Sequence, residues 1–180
     1  DCTPRVLNPD VLKPSSTFII SSMTVTPEGL FSFSTTNESG QLPFVIEQKR
    51  WNKWIKLATV NGKGNSGKND YSIKLNPHSG RNVFRIKQID YTRKPRISAE
   101  KKLIRSSVKE VFVANENLLK IKDDVKFKDE SGSEASTLYE VYNEAGALVR
   151  KGFGTKVNVS DLAKDRKYFI MYDNKMAQIK

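Results

Sequence analysis

Apolar residues along this chain recur at every second position over short runs, and the runs end in glycine, proline, asparagine or aspartate. That period belongs to half-buried β-strands. In Leu30–Thr36, Phe31, Phe33 and Thr35 share one side while Ser32 and Ser34 share the other. Thr17–Thr26, rich in β-branched residues, precedes it across the turn Pro27-Glu28-Gly29. Phe44–Arg50, Trp54–Val60, Tyr71–Leu75, Asn82–Asp90 and Arg96–Ile104 follow. They are divided by a turn at Trp51-Asn52, the glycine-rich loop Asn61–Asp70 and the turn Asn76–Gly80. Strands this short at this spacing predict an antiparallel sandwich. Alternation in Asn82–Asp90 turns Phe84, Ile86 and Gln88 inward and Arg85 and Lys87 outward, so Gln88 needs polar partners in the core.

A boundary is expected at Arg105-Ser106-Ser107, beyond which the strands shorten. Val108–Val113, Leu118–Lys122 and Val125–Lys128 come before the polar loop Asp129–Ser136. Tyr139–Asn143 and Ala147–Lys151 flank Glu144-Ala145-Gly146, a hairpin signal. Val157–Val159, Tyr168–Tyr172 and Met176–Lys180 complete the set, and Ser160–Lys164 has room for one helical turn. The expected fold is therefore all-β. An extended leader over 1–14, with Pro4, Pro9 and Pro14, precedes a sandwich over 15–106 and a smaller antiparallel sandwich over 107–180.

Composition narrows the class. The 180 residues are 37% hydrophobic and 9% aromatic, which suits a globular chain. Apolar runs such as Phe18-Ile19-Ile20 are strand-sized, far short of a bilayer-crossing helix. The first residue is Asp1 and not Met, which we read as the trace of a removed signal peptide. Cys2 is the single cysteine, so an internal disulfide is ruled out. A lipid-bearing cysteine would stand first, so Cys2 reads as an exposed thiol near a processed end.

The net charge of +11 is uneven. Residues 1–106 hold 18 Lys+Arg against 8 Asp+Glu, whereas 107–180 hold 13 against 12. A basic domain beside a neutral one favours acidic partners. Anionic polysaccharide, lipopolysaccharide or another envelope protein are the expected classes; nucleic acid is not. The competing explanation is that lysines keep outward strand faces soluble and blunt sheet edges.

Two stretches match known sequence patterns. Phe44-Val45-Ile46-Glu47, Trp54 with Leu57 and Val60, Gly62-Lys63-Gly64-Asn65-Ser66, Tyr71-Ser72, Pro77, Gly80 and Phe84–Asp90 together resemble the fibronectin type III-like module of secreted Bacteroidetes proteins. Tyr142-Asn143 with Gly146 and Leu148-Val149, then Val157–Ala163, Tyr168-Phe169 and Ile179-Lys180, resemble the C-terminal sorting domain of type IX secretion cargo. Val113-Ala114-Asn115-Glu116 stands where that family has Pro-Asn-Pro. The first resemblance implies a fibronectin III/Ig-like sandwich in an exported protein, a core position for Trp54, and neighbouring Phe44 and Asn82 strands that pair Glu47 with Arg85. The second implies export to the cell surface.

Candidate chemistry is sparse. Gly62–Asn69 nearly spells a phosphate-binding loop, yet Asn69 replaces the Ser or Thr that would hold Mg²⁺ and a strand, not a helix, follows. His78, the one histidine, lies in a turn by composition. One His and one Cys do not make a zinc centre. Asp123-Asp124, Asp129-Glu130 and Glu134 lack the regular spacing of a Ca²⁺ loop. No cofactor or metal is expected, and a glycosidase-type carboxylate pair is a rival without supporting residues. Lys49-Arg50-Trp51-Asn52-Lys53 mixes cations with an indole expected at the turn tip.

The expected function is that of a non-enzymatic exported surface or periplasmic protein in adhesion, scaffolding or envelope assembly. The alternative is a carbohydrate- or polyanion-binding module using Lys49, Arg50, Trp51, Lys53, Arg85 and Lys87.

Overall fold

The computed structural model describes residues 18–105, 108–114 and 124–179, with Ile104 and Arg105 given as backbone only. The leader, Cys2, the expected strand Leu118–Lys122, Ser106-Ser107, Asn115-Glu116, Asp123 and Lys180 lie outside the described residues. All regular structure among the described residues is strand. None of it is a helix long and apolar enough to cross a membrane.

The chain divides into two compact units. The first holds residues up to Lys49, Lys53–Leu75 and Val83–Leu103; the second holds Arg50–Asn52, Asn76–Asn82 and everything from Ile104 onward. In chain order the first eight strands are β1 (Ile19–Val25), β2 (Leu30–Thr36), β3 (Pro43–Arg50), β4 (Lys53–Asn61), β5 (Asn69–Lys74), β6 (Gly80–Ile89), β7 (Pro95–Ile97) and β8 (Lys101–Arg105). β1-β2-β5 form one sheet and β4-β3-β6-β7 the other, with β8 also pairing β6. This is a fibronectin III/Ig-like antiparallel sandwich.

Its core follows the alternation. Phe31 and Phe33 from β2 meet Phe44 and Ile46 from β3, Tyr71 from β5, and Phe84 and Ile86 from β6, all buried. Phe33 stacks on Tyr71 at 4.7 Å between centroids and meets Phe44 edge-on at 5.6 Å. Each such ring withdraws enough apolar surface to contribute roughly 1.5–3 kcal/mol. Gln88 is buried as the pattern requires, and its Nε2 donates to the Leu42 carbonyl at 3.3 Å.

The strand expected over Arg96–Ile104 is two strands. The amide of Ile86 donates to the Ser98 hydroxyl at 2.8 Å, and the Ser98 amide donates to the Ile86 carbonyl at 2.8 Å. A side-chain oxygen thus takes the place of a backbone acceptor, and the chain leaves the ladder at Ala99-Glu100.

The second unit carries β9 (Val111–Val113), β10 (Val125–Asp129), β11 (Thr137–Asn143), β12 (Leu148–Gly154), β13 (Lys156–Val157), β14 (Tyr168–Tyr172) and β15 (Lys175–Ile179). The sheets β13-β10-β9 and β12-β11-β14-β15 enclose Val125, Phe127, Val141, Val157, Val159, Ile170, Tyr172 and Ile179. Alternation again decides the inner face: Tyr168, Ile170 and Tyr172 are buried and Phe169 and Met171 are half-buried opposite them.

Among the described residues one turn design recurs four times, at Thr26–Leu30, Asp90–Lys94, Asp129–Ser133 and Asn143–Ala147. The first and fifth residues pair, the fourth amide returns to the first carbonyl, and the first side-chain oxygen accepts the fifth amide. The fourth residue is left-handed each time: Gly29 at φ 93°, Arg93 at 63°, Gly132 at 80° and Gly146 at 78°. This is the three-residue hairpin with a bulge, where glycine bears no Cβ penalty.

Candidate binding face

The register of β3 against β6 places Glu47 opposite Arg85 and Val45 opposite Lys87. Directly opposed residues share a face, so these side chains stand on the side of the sheet away from Phe44, Ile46, Phe84 and Ile86. Arg85 Nε donates to Glu47 Oε2 at 2.6 Å, and Lys87 Nζ lies 3.8 Å from Oε1. The Arg85 guanidinium also covers the Trp54 ring at 4.0 Å from its centroid. That separation suits a cation–π contact, with Glu47 accepting a hydrogen bond from the edge of the same guanidinium.

Trp54 therefore does not occupy the core position expected of it. It is half-buried, and the core cluster of this unit does not include it. The Arg85 guanidinium over its ring holds Trp54 on the outward face, while Leu57, Ala58 and Val60 further along the same strand pack on the core.

The six residues expected to form one ligand platform are divided. Lys49, Lys53, Arg85 and Lys87 belong to the first unit, and Arg50 and Trp51 to the second. Lys49 and Lys53 are exposed. Arg50 is only 4% exposed. Its Nη2 donates to the Asn76 carbonyl at 3.4 Å. Burial lowers its pKa to about 10 against the opposing pull of Asp173 and Glu140. Trp51, expected to be exposed, is half-buried with its Nε1 withdrawn from solvent. Trp51 at φ 49° and Asn52 at φ 63° make the two-residue left-handed turn that the strand twist favours. Asparagine suits such a backbone; a bulky indole is rare there. The Arg50 guanidinium lies 5.7 Å from the Trp51 ring centroid.

Other candidate groups are engaged by hydrogen bonds within the chain, from hydroxyls as well as backbone. In the glycine loop Glu38 sits where an anion would: its carboxylate accepts the Gly64 amide at 2.7 Å, the Tyr71 hydroxyl at 2.7 Å and the Thr35 hydroxyl. Burial pushes the Glu38 pKa up, and these bonds outweigh it to hold the group below its ordinary value. His78 is buried beside the carbonyl of Ser79, and burial, aided by Arg50, lowers its pKa to about 4. Asp129 caps its own hairpin through the hydroxyl and amide of Ser131 and the amide of Ser133. No group of three or more His, Cys, Asp or Glu able to hold a metal occurs among the described residues.

Two hubs had no sequence signal. Glu38 is one, and Asp173 is the other: Asp173 accepts the amide and hydroxyl of Ser79 at 3.0 and 2.6 Å and the amide of Val111 at 3.3 Å. An Asp or Glu hub of this kind is made by contacts far apart in the chain, which neither periodicity nor turn chemistry displays.

No family model matches this chain, and no curated protein matches it. Among solved structures it is similar to one described as "Biofilm associated protein - BSP domain", at 15% identity and a TM-score of 0.32, over 89% of this chain and 28% of that one. It is also similar to the "Central Fibronectin-III array of RIM-binding protein", at 9% identity and a TM-score of 0.31, over 92% of this chain and 60% of that one. The chain thus spans less than two thirds of either structure.

Proposed function

We propose that this chain is a non-enzymatic exported protein of the cell surface or periplasm, acting in adhesion, scaffolding or envelope assembly. One observation carries the reading: the perturbed polar groups are engaged in hydrogen bonds within the chain, and the outward sheet faces present large apolar side chains toward solvent. On the second unit's four-stranded sheet, Leu138 opposes Phe153, Tyr142 opposes Leu148 and Phe169, and Met171 opposes Met176, all away from the core. Phe153 and Met176 are more than half exposed. Outward apolar faces of this kind commonly serve association.

The likeness of residues 138–180 to a sorting domain supports export to the surface through a type IX route. In the source cell, protease treatment of intact cells should remove the protein, and a strain lacking it should attach less well to surfaces or other cells. A reporter on the full chain should reach the medium or cell surface and stay behind when residues 138–180 are deleted. A protease-protected cytoplasmic protein, or an unchanged deletion strain, would refute the proposal.

A further inference from the structure

We infer that the outward face of the five-stranded sheet in the first unit is a docking surface for an anionic polysaccharide chain. The inference takes its access to ligand from the surface location proposed above, while the binding itself is measurable on purified protein.

Charge is the first argument. Residues 43–105 hold 16 Lys+Arg against 4 Asp+Glu, a local excess larger than the net charge of the whole chain. Three of the four carboxylates are tied up locally. Glu47 is held by Arg85 and Lys87. Asp90 caps the amides of Thr92 and Lys94 and faces Arg96. Asp70 takes the Ser34 hydroxyl and the Lys68 ammonium. The cations therefore set the field that an approaching polymer meets.

Placement is the second. Lys49 follows Glu47 by two positions on β3, and Lys56 follows Trp54 by two on β4, so both extend the outward face and both are exposed. Lys102 adjoins the core-packed Leu103 on β8 and so points the other way, exposed as well. With Arg85 and Lys87 this sets five cations against one carboxylate. Neighbouring strands lie about 4.8 Å apart and same-face residues about 7 Å apart along a strand. An extended chain with a negative group on successive sugar units crosses such a grid from cation to cation. Glu47 and Trp54 hold Arg85 in place beforehand, which reduces the ordering cost of binding.

The same observations favour a polysaccharide over nucleic acid. Sequence-tolerant binding of single strands uses several aromatic rings on which successive bases stack. Duplex recognition sends an element into a groove. This face is a pleated sheet with one indole, already covered by a guanidinium on one side.

The test titrates the full chain with heparin, a sulfated probe, using neutral dextran and single-stranded DNA for comparison over a salt series. Lys49→Glu with Lys56→Glu should weaken heparin binding at least tenfold and flatten its salt dependence. Lys126→Glu with Lys164→Glu, an equal charge change on exposed residues of the second unit, should weaken it less than twofold. Circular dichroism checks that both variants fold. Three results would each overturn the inference: no binding of heparin by the native chain, equal losses in the two variants, or DNA binding as tight as heparin with the same sensitivity at Lys49 and Lys56. A surface protein that fails this titration loses only its ligand. Heparin binding by a protein found in the cytoplasm would remove the location and leave the face.

Discussion

Ser79 gives both its amide and its hydroxyl to the carboxylate of Asp173, 94 positions further along the chain. Asp173 itself is 1% exposed. The Asn174 amide group donates back to the Ser79 carbonyl at 2.6 Å, and the Asp173 amide donates to the Thr137 hydroxyl at 3.1 Å. The turn Asn76–Asn82 is thus bonded into the second unit by side chain and backbone together. Replacing Asp173 by Ala orphans the donors of Ser79 and Val111 and removes a negative charge facing buried Arg50. The expected loss is about 3 kcal/mol, against about 1 kcal/mol for Ser79→Ala. Urea unfolding gives both numbers, and an Asp173→Ala protein as stable as the parent would contradict the hub.

The four bulged hairpins make an internal comparison. Three place glycine at the left-handed fourth position and one places Arg93 there, at φ 63°. Arg93→Gly should stabilise the protein by about 0.5–1 kcal/mol by relieving the Cβ penalty. Gly146→Ala, at φ 78° with nothing within 4 Å of the added Cβ, isolates the same term with opposite sign and should destabilise by about 1 kcal/mol. Thermal melts of the pair settle this: shifts of the same sign would mean that backbone conformation does not govern these turns.

Strands and turns were legible because each is written in a few neighbouring residues. Phe31, Phe33, Phe84 and Ile86 are inward as alternation requires, and the Glu47–Arg85 pair forms as expected of neighbouring strands. The places of the two indoles are not legible in this way. The resemblance puts Trp54 in the core, but a guanidinium from the neighbouring region of the sheet, Arg85, holds its ring on the outer face; a turn tip predicts exposure for Trp51, which packs beside Arg50. Arg50 shows the same limit. A cation at a strand end gives no sign that Asn76, Asp173 and Glu140, all remote in sequence, surround it.

His78 predicts an acid-sensitive window. Its folded pKa of about 4 lies below the ordinary 6.5, so between those values the unfolded chain binds the extra proton. Stability is then full above about pH 6.5 and falls as the pH drops toward 4. His78→Asn removes the titrating ring and should flatten the stability profile across that window. Carboxylates such as Asp129, held at about 2 chiefly by the Ser131 hydroxyl, lose their contribution at lower pH. Urea midpoints measured at intervals through the window give the slope. An unchanged slope in the variant would assign the effect to other groups.

Glu38 and Tyr71 offer a spectroscopic test of the glycine loop. Burial and the hydrogen bond to Glu38 together raise the Tyr71 phenol to about 12. The same Glu38 carboxylate accepts the Gly64 amide, while Tyr71 accepts the Lys63 amide at 2.9 Å. Glu38→Gln keeps the shape and removes the negative charge. The late-titrating tyrosine should then move part of the way toward 10, since its burial persists. The loop should loosen at a cost of about 1–3 kcal/mol. Because the folded Glu38 pKa is depressed, its contribution is present above its ordinary value of 4.5 and is lost as the pH falls through the lowered one. Ultraviolet difference titration follows the phenol, and amide exchange at Gly64 follows the loop. A tyrosine still titrating at about 12 in the Glu38→Gln protein, with Gly64 equally protected, would show that burial alone holds the site.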